Sequence, residues 1–185
     1  MLEDEYKRII AFLNKEGLNY LVIGGVAVSV IGEPRETIDI DLCVFIKRAQ
    51  INSFLRKAKK IGYTVNEKEV LTRVKLTGTF SIISIMDKKI RIDFIIASHA
   101  VEKNAFKRKI EVELYGVKAY YPTPEDLILL KIVPGRTQDI ADVEKIAIRH
   151  KSKLDEKYLL AWAMKLSDES QDLRIYKEVK RLLSL

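Results

Sequence analysis

The sequence predicts an α+β fold: a mixed β-sheet flanked by helices over residues 1–121, followed by a helical C-terminal part over residues 122–185 that packs on it. Three observations carry this expectation. Short apolar strand patterns alternate with amphipathic helical ones as far as Tyr121. Pro122 and Pro124 then punctuate the chain, and every pattern after them has a helical period. The 185 residues, 48% apolar and 32% charged, suit a globular chain with one sizeable core and are unlike a disordered one.

Taken in order, residues 3–16 read as an amphipathic helix. Tyr6, Ile9, Ile10 and Leu13 recur at helical spacing, and Gly17 follows as a stop. Residues 20–24, YLVIG, form a short apolar strand. Val26–Ile31 is a short apolar helix bounded by Gly25 and Gly32. Ile38–Ile46, rich in β-branched and apolar residues, is the next strand. Residues 48–61 read as a helix ended by Gly62, its basic residues forming a solvated face. Residues 66–78 carry no decisive pattern. Residues 79–86 and 89–97 flank the polar pair Asp87-Lys88 and predict a β-hairpin. Residues 110–121 supply one or two more strands, and helices are expected over 124–133, 137–150, 154–166 and 170–184.

Composition narrows the function classes. No apolar run reaches membrane-spanning length, and the acidic start MLEDEYKRII lacks the build of a secretory signal, so a cytoplasmic protein with no membrane partner is expected. Cys43 is alone, which excludes an internal disulfide, and is expected to pack in a strand; His99 and His150 lack cysteine partners at zinc-site spacing. The formal net charge of +7 suits anionic partners such as nucleotides or RNA, although taken alone it is first of all a matter of solubility.

The stretch GGVAVSVIGEPRETIDIDL, residues 24–42, holds the chemistry. Side chains alternate faces along a strand, so Asp39 and Asp41 share one face while Ile38, Ile40 and Leu42 share the other. Two adjacent carboxylates repel each other unless a cation lies between them, and hard oxygen ligands suit Mg²⁺ or Mn²⁺. Asp93, in RIDFII, supplies a third acid if its strand neighbours the first. Three carboxylates can hold two divalent ions about 3.5–4 Å apart, the clamp of nucleotidyl transfer. Gly24 and Gly25 end a strand and open a helix, where backbone N–H groups approach phosphate oxygens with no Cβ in the way.

This order of Gly-Gly, short apolar helix, then R-x-T-x-D-I-D-L resembles the nucleotidyltransferase superfamily with the polymerase-beta-like core. Gly24, Gly25, Asp39, Asp41 and Asp93 fill the places of its motif, with Gly25 where many members carry serine. The fuller pattern of Gly24, Gly25, Ala27, Arg35, Thr37, Asp39 and Asp41 resembles the branch of abortive-infection toxin-type and minimal nucleotidyltransferases. The string EDLILLKIVPGRTQDIADVEKI, residues 125–146, is similar to that branch too, with Lys131, Arg136, Asp139 and Asp142 matching.

The resemblance implies a metal-dependent enzyme that transfers a nucleoside monophosphate from a nucleoside triphosphate to an acceptor hydroxyl. Asp39, Asp41 and Asp93 would be catalytic and hold the metal. Gly24, Gly25, Arg35, Thr37 and Lys131 would bind the nucleotide. The acceptor is open between the end of an RNA such as tRNA, a protein hydroxyl and a small molecule, and the toxin-like resemblance with the positive charge tilts it slightly toward RNA. Two other readings stand beside it: a non-catalytic nucleotide- or RNA-binding module, and an antitoxin-like regulator of a partner protein. Residue by residue, Arg35 is as well placed for a loop salt bridge as for a phosphate. Lys131, in the apolar helix LILLKIV, needs a partner, either a triphosphate or a core carboxylate such as Asp142. Asp139 is expected to cap the helix that begins near Ile140.

Overall fold

The computed structural model describes residues 1–185. Five strands form one sheet: β1 (Asn19–Ile23), β2 (Ile40–Phe45), β3 (Tyr63–Thr64), β4 (Thr79–Ser84) and β5 (Arg91–Ile96), ordered β1-β2-β5-β4-β3. β2 and β5 run parallel and the other pairs antiparallel, so the sheet is mixed. A hairpin of β6 (Ile110–Leu114) and β7 (Val117–Tyr121) lies beside β1. Its tip is Tyr115-Gly116, both at positive φ, as a two-residue hairpin turn requires.

Helices α1 (Leu2–Lys15), α2 (Gly24–Ile31), α3 (Ile51–Lys60), α4 (Glu67–Thr77) and α5 (Ala100–Arg108) interleave with the strands. Four more follow the hairpin: α6 (Pro124–Ile132), α7 (Thr137–His150), α8 (Glu156–Ser170) and α9 (Arg174–Leu182). One apolar cluster runs unbroken from α1 through the sheet to α9. Within it Phe80 stacks on Phe94 at 4.6 Å, and Phe54 of α3 meets both rings edge-on.

The period of β2 explains where the site opens. Ile40, Leu42 and Val44 point into the main cluster, against α1 and α3. Asp41 and Cys43 point to the other face, where Cys43 and Leu21 pack under Ala105 and Phe106 of α5. That covers the far end of β2 and leaves the Asp41 end open. Polar anchors hold the frame around this opening. Buried Asp126 takes the Arg108 Nε at 3.0 Å, and Arg108 lies 3.9 Å over the Tyr158 ring, joining α5, α6 and α8. On the opposite side, buried Glu5 pairs with Arg8 and accepts the Ser84 hydroxyl at 2.6 Å.

Residues 66–78, without a decisive pattern in the sequence, form α4. The Asn66 side chain accepts the Glu69 N–H, Val70 and Val74 bury one face, and Gly78 closes the helix at φ 69°. The strand expected over 38–46 starts only at Ile40. Thr37 Oγ1 donates to the Asp39 carbonyl at 3.2 Å, which turns the chain before the ladder begins and leaves Ile38 exposed. The hairpin expected around Asp87-Lys88 exists, but its strands stop at Ser84 and resume at Arg91. Ile85 and Met86 stand exposed in the longer connection.

Candidate active site

The three acids come from β2, β5 and the turn before β2. Asp41 and Asp93 are direct register partners on adjacent parallel strands, so their side chains leave the same face side by side. Asp39 lies just outside β2 and is tied to the other two by Arg91. The Arg91 Nε donates to Asp93 at 2.9 Å and a terminal nitrogen donates to Asp39 at 3.4 Å. The second Asp93 oxygen accepts the Ser81 hydroxyl at 2.5 Å, from β4 on its other side. Burial, then the charges of Asp93 and Asp39, push the Asp41 carboxyl above the usual range, while Lys131 and the Gly25 amide pull it back down.

The glycines are explained by the same carboxylate. Gly24 has φ +64°, and a Cβ there would lie 1.9 Å from an Asp41 oxygen. At Gly25 a Cβ would meet the Thr37 side chain at 2.7 Å and the Arg35 guanidinium at 3.1 Å. The bare backbone thus lets Asp41, Thr37 and Arg35 crowd onto the first turn of α2. Gly17 supplies a control, since its φ of +63° has no heavy atom within 4 Å of the added Cβ. Gly24→Ala is expected to destabilise by more than the roughly 1 kcal/mol of a left-handed alanine, and Gly17→Ala by about that strain alone. Equal shifts in the two denaturant melts would show that Asp41 does not press on Gly24.

The opposite wall is cationic. Gly24, Asp39, Asp41, Asp93, Lys131 and Arg136 all border one cleft of about 560 Å³. The Lys131 ammonium is buried and bound to Asp142 at 2.8 Å and Asp139 at 3.1 Å. Arg35 joins the group, its Nε 3.3 Å from the other Asp142 oxygen, while that buried N–H has no aligned hydrogen-bond acceptor. Thr37 braces the turn before Asp39. The expected capping role of Asp139 is corrected: α7 starts at Thr137, and Asp139 lies buried in its first turn between two cations. Burial works against its charge, yet the bonds from Arg136, at 2.6 Å, and Lys131 hold its carboxyl below the usual value. A buried ammonium needs that counter-charge, and the need outranks capping.

Neither Ser81 nor the reach of Arg91 from Asp93 to Asp39 is legible in the sequence. A two-residue turn at Asp87-Lys88 would set Ser81 opposite Phe94; the observed register sets it opposite Asp93. Only the true length of the connection reveals that pairing.

The donor set suits a hard divalent cation: Asp41 and Asp93 leave the sheet side by side, Asp39 precedes them in the adjoining turn, and burial, then the charges of Asp93 and Asp39, raises Asp41. As the side chains stand, no three of them are grouped to grip one ion, because Arg91 lies between Asp93 and Asp39. A metal held by all three requires that guanidinium to give way.

Comparison with known proteins agrees with this architecture. The lincosamide antibiotic adenylyltransferase LnuA, in its lincomycin-bound crystal structure, superposes with a TM-score of 0.54 at 15% identity, over 78% of this chain and 95% of that one. An antigenic nucleotidyltransferase-like protein from Paracoccidioides brasiliensis gives a TM-score of 0.55 at 14% identity, over 97% of this chain and 92% of that one. At such identities the likeness is one of fold. A sequence comparison with curated proteins finds no match. In sequence, residues 2–182 match a single family along nearly the whole chain, and this protein therefore belongs to the family described as "Nucleotidyltransferase of unknown function (DUF6036)".

Proposed function

We propose that the protein transfers a nucleoside monophosphate from a nucleoside triphosphate to an acceptor hydroxyl, with Mg²⁺ or Mn²⁺ held by Asp39, Asp41 and Asp93. The observation that carries this reading is the side-by-side register of Asp41 and Asp93 at the mouth of a cleft whose far wall is cationic. Bound there, the metal would offset phosphate charge and lower the pKa of the attacking hydroxyl. The chain's own residues do the rest. The first turn of α2, at Gly24 and Gly25, presents backbone N–H groups to the phosphates. Lys131 and Arg35, anchored on Asp142, and Arg136, anchored on Asp139, supply positive potential opposite the acids without being free to wander. Thr37 fixes the turn that carries Asp39. Asp93 would take the acceptor proton, a role supported by the hydroxyl that one of its oxygens already accepts. The net charge of +7 favours an RNA acceptor over a cationic small molecule.

One observation favours a second reading. Arg91 already neutralises Asp93 and Asp39, as suits a module that binds nucleotides or RNA, or controls a partner protein, without turnover. Incubation with each α-labelled triphosphate, Mg²⁺, total RNA and cell lysate separates the two. The transferase reading expects label in a macromolecular or small-molecule product, abolished by chelator. Nucleotide binding without any labelled product supports the second reading.

A further inference from the structure

Asp41, Arg91 and Asp93 line two chambers. The larger is the cleft just described. The smaller, about 240 Å³, is walled in addition by Thr79 and Ser81 of β4 and by Arg73 of α4. Its charges are arranged differently from those of the cleft. Lys131, Arg35 and Arg136 are bound by Asp139 and Asp142, whereas Arg73 is exposed and enters no ion pair. Arg73 also belongs to a second, shallow groove along α4 with Asn66, Lys68, Glu69 and Thr72. Two cations against one acid leave that groove positive.

Resting on the nucleotidyl-transfer reading above, we propose that the smaller chamber is the acceptor subsite and that the acceptor is the 3′ end of a single-stranded nucleic acid. The terminal hydroxyl takes the place of the Ser81 hydroxyl at Asp93, the last phosphodiester lies on Arg73, and the strand leaves along α4 past Thr72 and Lys68. Three points support this occupant. A hydroxyl from a residue of this chamber already hydrogen-bonds to Asp93, so the position accepts one. An unpaired guanidinium next to it suits a phosphate and repels a cationic acceptor. Two grooves meeting at Arg73 make an extended basic track, which a strand fills and a small molecule does not. At the other end, Leu76, about one turn from Arg73 toward the C-terminus of α4, is exposed and offers an apolar surface to the terminal base. In the reaction the 3′ oxygen forms a bond to the α-phosphorus, the bond from that phosphorus to pyrophosphate breaks, and the hydroxyl proton passes to Asp93.

The test uses the full chain and short single-stranded RNA and DNA oligonucleotides of one sequence, each with a free or a 3′-deoxy end. Binding is read by anisotropy across a salt series and transfer by label from an α-labelled triphosphate. Wild type is expected to bind free and blocked ends alike and to label only the free ones; the RNA and DNA arms identify the source. Arg73→Ala should weaken oligonucleotide binding about tenfold, lower the salt slope by about one, and leave triphosphate affinity unchanged. Ser81→Leu, which fills the chamber, should stop transfer to the oligonucleotide while triphosphate still binds. Unchanged oligonucleotide affinity and transfer in Arg73→Ala overturn the proposal. Label passing to other acceptors but to neither oligonucleotide also overturns it and leaves nucleotidyl transfer standing. Arg73-dependent binding with no transfer to any acceptor removes the enzymatic reading instead.

Discussion

Asp41→Asn is expected to lower transfer by at least about a hundredfold while raising the melting temperature at neutral pH. The two effects share one origin. Asp41 is half-buried beside Asp93 and Asp39, and desolvation together with those two charges pushes its carboxyl upward. A carboxylate whose folded pKa exceeds its unfolded value destabilises the fold wherever it must ionise. The penalty is present at neutral pH and fades as pH falls through the raised folded pKa. Asparagine keeps the shape and removes the charge, so its stabilisation should be largest near neutral pH and shrink in acid. The loss of transfer follows from losing a negative ligand where the metal is to sit. Thermal melts over a pH series, run beside a transfer assay, check both. A variant that transfers normally would remove Asp41 from the chemistry. A variant that melts lower at neutral pH would show that its neighbours already compensate the charge.

Lys131→Met is expected to cost about 3–5 kcal/mol, the range for breaking a buried ion pair from one side. The ammonium is enclosed by Asp139 and Asp142, and its removal leaves Asp142 facing only Arg35 and Gln138. Adding Asp142→Asn should recover part of the loss, because the stranded charge goes with it. Arg35 and the first turn of α7 are held by the same carboxylates, so triphosphate affinity should fall as well, by on the order of tenfold. Chemical denaturation of the single and double variants, with nucleotide titration below their melting temperatures, reads both effects. A stability loss with unchanged nucleotide affinity would confine Lys131 to the wall of the cleft. No stability loss would contradict the ion network itself.

The legible part of this protein was its local grammar. α1, α2, α6 and α7 follow from apolar period and from glycine and proline punctuation, all encoded within a dozen residues. Gly24, Gly25, Asp39 and Asp41 stood out as candidates because they lie in one short stretch of chain, whereas Asp93 joins Asp41 only through the pairing of β2 with β5. What stayed hidden depends on caps, register and helix packing that apolar periodicity does not carry. α4 looks undecided because only Val70 and Val74 are buried, and its definition comes from an Asn66 cap and a left-handed Gly78. Ser81 reaches Asp93 through a hairpin register that the Asp87-Lys88 pair misplaces by one residue. Asp139 reads as a cap until Lys131 is brought under it, and one sequence cannot show that α6 and α7 fold back to make that contact.

The central claim is that phosphorus chemistry at Asp39, Asp41 and Asp93 occurs at the α-phosphate. Parallel reactions with α-labelled and γ-labelled triphosphate test it most directly, each with Mg²⁺ and total RNA, for wild type and Asp41→Asn. The account predicts that wild type moves the α label into an acceptor and releases the γ label as pyrophosphate, with neither event in the variant. Transfer of the γ label to an acceptor, or release of pyrophosphate undiminished in Asp41→Asn, would contradict it.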